Sequence, residues 1–146
     1  MSPEQLFSLC GMLVLPGWLL LIFLPRRRWT ARLVCPVVLP VLLALIYLWL
    51  VATTFGRTPG GFGSLADVSL IFRNPWVLLA GWIHYLAFDL FIGSWEVRDA
   101  QRVGIRHIFV VPCLVLTFLF GPIGLLLYLI LRAALRRRLA VGGEPA

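Results

Sequence analysis

Long apolar runs separated by short polar punctuation set the pattern of this chain. Residues 6–24, 33–54 and 108–131 hold no charged side chain, and residues 75–95 hold one, Asp89. A helix needs about 20 residues at about 1.5 Å each to cross a hydrocarbon core. Four such helices are predicted, spanning about 5–24, 32–54, 75–95 and 107–131. The expected architecture is all-α: a single transmembrane domain over 1–146, built as an integral membrane bundle of four transmembrane helices.

The punctuation refines this picture. Ser2-Pro3-Glu4 reads as a helix start, a capping hydroxyl followed by Pro at the first turn. The leader 1–5 has an acid and no base, and no small-x-small cleavage site follows, so the first span is expected to be retained. The connection 25–30 is short and basic, which pairs helices one and two as an antiparallel hairpin. The connection 55–74 is a Gly-rich loop between helices two and three, with Gly56, Gly60, Gly61 and Gly63. Within it, 64–72 predicts one or two amphipathic turns with Leu65, Val68 and Phe72 on one side. Asn74-Pro75 then starts helix three, and 96–107 reads as a short charged connection.

Composition supports the membrane assignment. The chain is 61% hydrophobic and 13% charged, with mean hydropathy +0.97. Soluble domains are about half apolar and about a quarter charged. Net charge is +7 and every basic residue is Arg. The arginines cluster at span ends, the pattern of topology signals and anionic-lipid contacts rather than of nucleic-acid binding. With four full spans, loops one and three carry seven arginines against six on the opposite side. That balance places loops one and three in the cytoplasm and the N-terminus outside. Breaking the last segment at Gly121-Pro122-Ile123-Gly124 into a re-entrant pair would make the balance eleven against two. A kinked full-length helix is the ordinary consequence of Pro112 and Pro122, and it is the expectation adopted. Cys10, Cys35 and Cys113 form no C-x-x-C pair and read as small buried hydrophobes.

The candidate chemistry lies in the third span. An ionisable group at membrane depth costs roughly 2.5–3.5 kcal/mol on insertion scales, so His84 and Asp89 need a reason to be there. At about 100° per residue, Tyr85, Asp89, Ile92 or Gly93, Glu96 and Asp99 share one stripe. Gly81, His84, Phe88 and Trp95 share another. His84 and Asp89 are about 140° apart and cannot pair within the helix. Either they line one wide cavity, or each faces a different neighbour. The plainer alternative is a structural polar knot, with Asp89 satisfied by Tyr85, Thr53, Thr54 or Thr117. Glu96, Arg98 and Asp99 read as a helix-end charge cluster with Arg102. His107 either faces the same pocket as Glu96 or is an interfacial anchor. Two histidines at different depths do not suit a bis-His haem. No metal spacing, nucleotide loop or G-x-S-x-G elbow is present, so no cofactor and no metal are expected. Aromatic side chains and small residues between helices suit a flat apolar ligand as well as ordinary packing.

The order of motifs carries a resemblance. Asn74-Pro75-Trp76 is followed by Trp82-Ile83-His84-Tyr85-Leu86-Ala87-Phe88-Asp89. Then come Trp95-Glu96-Val97-Arg98-Asp99-Ala100, Gly104-Ile105-Arg106-His107, and Leu116-Thr117-Phe118-Leu119-Phe120-Gly121-Pro122 with Tyr128 and Arg132. This resembles the small four-helix membrane family of the plant abscisic-acid-deficient-4 protein, which is associated with neoxanthin synthesis. Lacking a long transit region, the chain resembles the bacterial members, which implies the bacterial plasma membrane. The resemblance implies carotenoid chemistry, the isomerisation of an epoxide end group to a hydroxylated allene. That reaction needs an acid and a base. Asp89 is assigned as acid and His84 as base, with Glu96 and His107 in reserve. Tyr85, Trp82, Phe88, Trp95 and Thr117 are assigned to substrate binding. The expected partners are the bilayer and a lipid or carotenoid ligand, with a homo-oligomer or a membrane enzyme as further partners. Two rivals stand beside the isomerase. One is a non-catalytic pigment- or lipid-binding module that supports another enzyme. The other is a small proton-coupled transporter built on Asp89.

Overall fold

The computed structural model describes residues 1–136, so the remainder of the basic tail, with Arg137 and Arg138, lies outside the described residues. The described residues are all-α. Helix α1 is Pro3–Phe23, α2 is Thr30–Thr54, α3 is Leu65–Ile71, α4 is Pro75–Val103, α5 is His107–Phe120 and α6 is Pro122–Arg136.

Local chemistry sets the boundaries. Ser2 and Gln5 cap α1 reciprocally: the Ser2 amide donates to Gln5 Oε1 at 2.9 Å, and the Gln5 amide donates to Ser2 Oγ at 3.3 Å. The first nine residues of α2, Thr30–Val38, are wound as a π-helix containing Pro36, and the Leu39 amide bonds Val34 O five residues back. Proline brings no amide to the ladder, and wide turns of this kind accommodate the missing donor. Asn74 Oδ1 accepts from the Trp76 amide at 2.9 Å and caps α4. Gly104, at φ 74°, ends α4, and the Ile105 amide closes the turn on Ala100 O at 2.8 Å.

Among the described residues, three helices are long and apolar enough to cross a membrane: Pro3–Phe23, Thr30–Thr54 and Pro75–Val103. Two expectations need correction. Helix α4 does not stop at Trp95; it runs on through Val103, so the charged stretch expected as a loop is helix, and the connection shrinks to residues 104–106. Nor is the expected fourth span one helix. It is two, α5 of 14 residues and α6 of 15, broken at Gly121 with φ 49°. Fourteen residues reach only about 21 Å, short of the hydrocarbon thickness. A left-handed Gly followed by Pro122 stops α5 and starts α6 on a new axis.

Side-chain contacts fix the direction of each piece. At one end of the bundle, Gln101 Nε2 donates to Pro25 O at 2.7 Å and Arg98 Nη1 to Ala31 O at 3.2 Å. His107 Nε2 lies 2.9 Å from Ile22 O at the same end. Helix α5 therefore starts there and runs back along α4, passing Glu96 at Thr117 and reaching Asp89 at Gly121. Helix α6 then returns, because Tyr128 and Arg132 both contact Asp99. The α5–α6 hairpin enters and leaves at one end. A Cβ on Gly124 would collide with the Thr117 backbone, so the hairpin closes only with glycine there.

Arg26, Arg27, Arg28, Arg32, Arg98, Arg102, Arg106 and Arg132 thus gather at one end among the described residues, with Arg57 and Arg73 toward the other. The core joins all the long helices through Leu21, Cys35, Leu43, Ile83, Leu90 and Leu114, each at most 1% exposed. In α3, Val68 and Phe72 turn partly inward, whereas Leu65 is 85% exposed and leaves the expected apolar side.

Candidate functional site

The stripe Tyr85, Asp89, Gly93, Glu96 and Asp99 faces the α5–α6 hairpin and α1. Gly93 takes the Trp18 ring of α1 against its backbone. At mid-helix, the Asp89 carboxylate packs on Gly121, with Oδ1 2.9 Å from where a Cβ would stand. Any other residue at Gly121 would strain the backbone and crowd the acid. Tyr85, one turn earlier, interacts with Asp89, and its hydroxyl also lies 3.4 Å from Phe118 O. Asp89 Oδ2 is buried and has no hydrogen-bond partner among the described residues.

Two turns further on, Glu96 is fully buried, and Oε1 accepts from Thr117 Oγ1 at 2.9 Å. Asp99 is held by three donors: Tyr128 Oη at 2.7 Å, Arg132 Nε at 2.6 Å and Arg102 Nη2 at 2.7 Å. Asp99 does pair with Arg102, as read from the sequence. It is also buried under α6, which makes it the latch of the hairpin rather than a solvated helix end.

Two cavities flank the start of α4. The first, of about 640 Å³, lies between α1 and α4 and is lined by Phe7, Leu78, Trp82 and Tyr85 among others. Trp82 stacks on Tyr85 at 5.4 Å and packs against Phe7 at 5.5 Å. The second, of about 450 Å³, lies between α2, α4 and the 55–72 segment, and holds Tyr47, Thr54, Thr58 and His84. Phe72 and Gly81 line both.

The candidate residues therefore separate. Asp89, Tyr85, Trp82, Glu96 and Thr117 follow the α1 and hairpin side. His84 stacks on Phe88 at 4.5 Å and lies 5.9 Å from Tyr47, on the α2 side, with Phe88 59% exposed. Trp95 leaves that stripe and packs edge-on against Tyr128 at 5.4 Å. His107 sits at the basic end on Ile22 O, away from Asp89. Thr53 and Thr54 bond their own helix backbone at Leu50 O and so do not serve Asp89. Sequence reasoning missed Tyr128 and Arg132 as partners of Asp99. Their i, i+4 spacing was the available signal.

The sequence pattern of the ABA DEFICIENT 4-like family matches residues 5–128, nearly all of the bundle. The chain belongs to the ABA DEFICIENT 4-like family. The matched region covers α1 through Tyr128 and so includes Asp89, Glu96, Asp99 and the hairpin break. No curated protein matches the chain, and no solved structure matches it.

Proposed function

We propose that this family member is an integral membrane protein that holds a carotenoid or other isoprenoid lipid in the α1–α4 groove and acts on its end group at Asp89. The observation that carries this reading is the junction of two unlike surfaces. An aromatic, apolar groove runs along Phe7 and Trp82 to Tyr85, and beyond Tyr85 lies a half-buried carboxylate with one buried, unmet oxygen. Such pockets, mostly apolar with a few convergent polar groups, suit a lipid with one reactive polar end. Membership of the ABA DEFICIENT 4-like family supports the carotenoid class.

In this reading Asp89 delivers a proton to the oxygen of an epoxide end group, and Tyr85 orients the carboxyl. Transfer of a proton from the polyene to a base, the role of His84, completes an isomerisation with no change in composition. His84, facing the second cavity, serves as base only for a ligand that reaches past Phe72 and Gly81. The arginine-rich end faces the cytoplasm of a bacterial plasma membrane, and the hairpin is re-entrant from that side. Three spans then cross the bilayer, and the last segment dips in and returns.

The test is turnover of an epoxy-carotenoid by purified protein in liposomes. The expected result is an isomer of unchanged mass, lost in Asp89→Asn while the variant keeps its fold. Tight binding without conversion would instead make the protein a lipid-holding accessory module. Equal turnover by wild type and Asp89→Asn would remove Asp89 from the chemistry.

A further inference from the structure

The face of α4 that carries Asp89 continues for two more turns, and there the bundle buries a second acid. Glu96 is 0% exposed, and its Oε2, like Asp89 Oδ2, is a buried oxygen with no hydrogen-bond partner among the described residues. Leaving a buried acceptor unmet forfeits its hydration with nothing in return, and the penalty is greater for a charged group. Two such oxygens on one helix face point to a shared occupant.

Seven residues separate the two acids, so their backbones lie about 10.5 Å apart along the axis and nearly in register around it. Helical side chains lean toward the N-terminus, which brings the longer Glu96 back toward Asp89. The α5–α6 hairpin lies along the gap. Thr117 stands at one end as a donor to Glu96, and Gly121 stands at the other against Asp89. Gly121 and Gly124 add no side chain there, and between the acids the Trp18 ring and Leu114 pack on Gly93. The two carboxyls are close enough for the charge of Asp89 to act on Glu96.

The surroundings narrow the occupant. Thr117 of α5 donates to Glu96, Cys113 and Tyr128 lie within reach of its charge, and Tyr128 and Arg132 engage Asp99. From α1, Trp18 covers Gly93 between the two acids. No group of three or more His, Cys, Asp or Glu side chains able to hold a metal ion occurs among the described residues.

We propose that Asp89 and Glu96 share one proton, passed between them through one or two bridging waters. The O–H bond at Glu96 breaks, an O–H bond forms at Asp89, and the negative charge moves from Asp89 to Glu96. The reverse transfer restores the start, with no oxidant or reductant. The role of Asp89 toward a lipid rests on the function proposed above; the sharing of the proton does not.

The test is infrared spectroscopy of the full chain in lipid nanodiscs, reading the carbonyl stretch of protonated carboxyl groups. Wild type is expected to show an acid carbonyl band that Glu96→Gln removes or moves. Asp89→Asn should keep a Glu96 band but shift its frequency, because the competing site is gone. Thr117→Val keeps both acids and nearly the same shape, and should shift the band by deleting the donor to Oε1. A band unmoved by Glu96→Gln and Thr117→Val overturns the proposal, as does a Glu96 band indifferent to Asp89→Asn. Normal epoxide turnover by Asp89→Asn would defeat the proposed function while these band shifts still upheld the shared proton.

Discussion

Arg132 reaches back from α6 to place Nε 2.6 Å from Asp99 Oδ2, with both side chains almost wholly buried. The contact joins the last helix to the end of α4, where the first loop also docks. It turns what hydropathy reads as one span into a hairpin. Breaking a buried ion pair by removing one partner costs up to about 3–5 kcal/mol, and less where other groups still hold the remaining charge. Arg132→Gln and Asp99→Asn should each lower thermal stability in detergent, Arg132→Gln by less because Arg102 and Tyr128 still hold Asp99. The double variant should lose much less than the two single losses added. Full additivity would show that the two side chains do not depend on each other.

The hairpin predicts a sidedness. A cysteine at Ala134, near the end of α6, should be labelled by an impermeant thiol reagent from the same side as one at Arg28, and from the side opposite to one at Arg57. Cys10, Cys35 and Cys113 are at most 1% exposed and should give little background. Labelling of Ala134→Cys from the Arg57 side would restore a full fourth span.

Glycine at the break is a backbone requirement. Gly121 has φ 49° and ψ −96°, a conformation that glycine adopts and L side chains resist, and its missing Cβ makes room for Asp89. Gly124→Ala is expected to be the more damaging change, because its methyl would meet the Thr117 backbone rather than a movable side chain. Thermal unfolding of both variants decides the order. Wild-type stability in Gly124→Ala would mean that the two helices do not pack this closely.

The polar stripe of α4 was legible because helical period alone aligns Tyr85, Asp89, Glu96 and Asp99. The same arithmetic separated His84 from Asp89, and the structure places His84 in the cavity beside α2 and Asp89 against Gly121 of the hairpin. What periodicity could not supply was the partner helix. Residues 108–131 are as apolar as a single span, so hydropathy passes over Gly121 without a mark. The arginine balance held the missing signal, since only a broken segment returns Arg132 to the basic end. The length of α4 was hidden for a related reason. Glu96 and Asp99 look like loop charges until Thr117, Tyr128 and Arg132 cover them.

The groove predicts a ligand-holding variant series. Trp82→Ala opens the stacked Phe7–Trp82–Tyr85 wall and should weaken retention of a polyene lipid roughly tenfold, equivalent to about 1.4 kcal/mol. Phe88→Ala, on the α2 side and largely exposed, should leave retention unchanged. Equal loss in both variants would place the ligand elsewhere.

The most direct measurement is the absorption spectrum and lipid mass analysis of wild-type protein and Trp82→Ala, each purified in detergent after exposure to an epoxy-carotenoid. The account predicts a polyene band that travels with the wild-type protein at a fixed ratio and is depleted in Trp82→Ala. A wild-type protein that emerges without polyene or other isoprenoid lipid would contradict it.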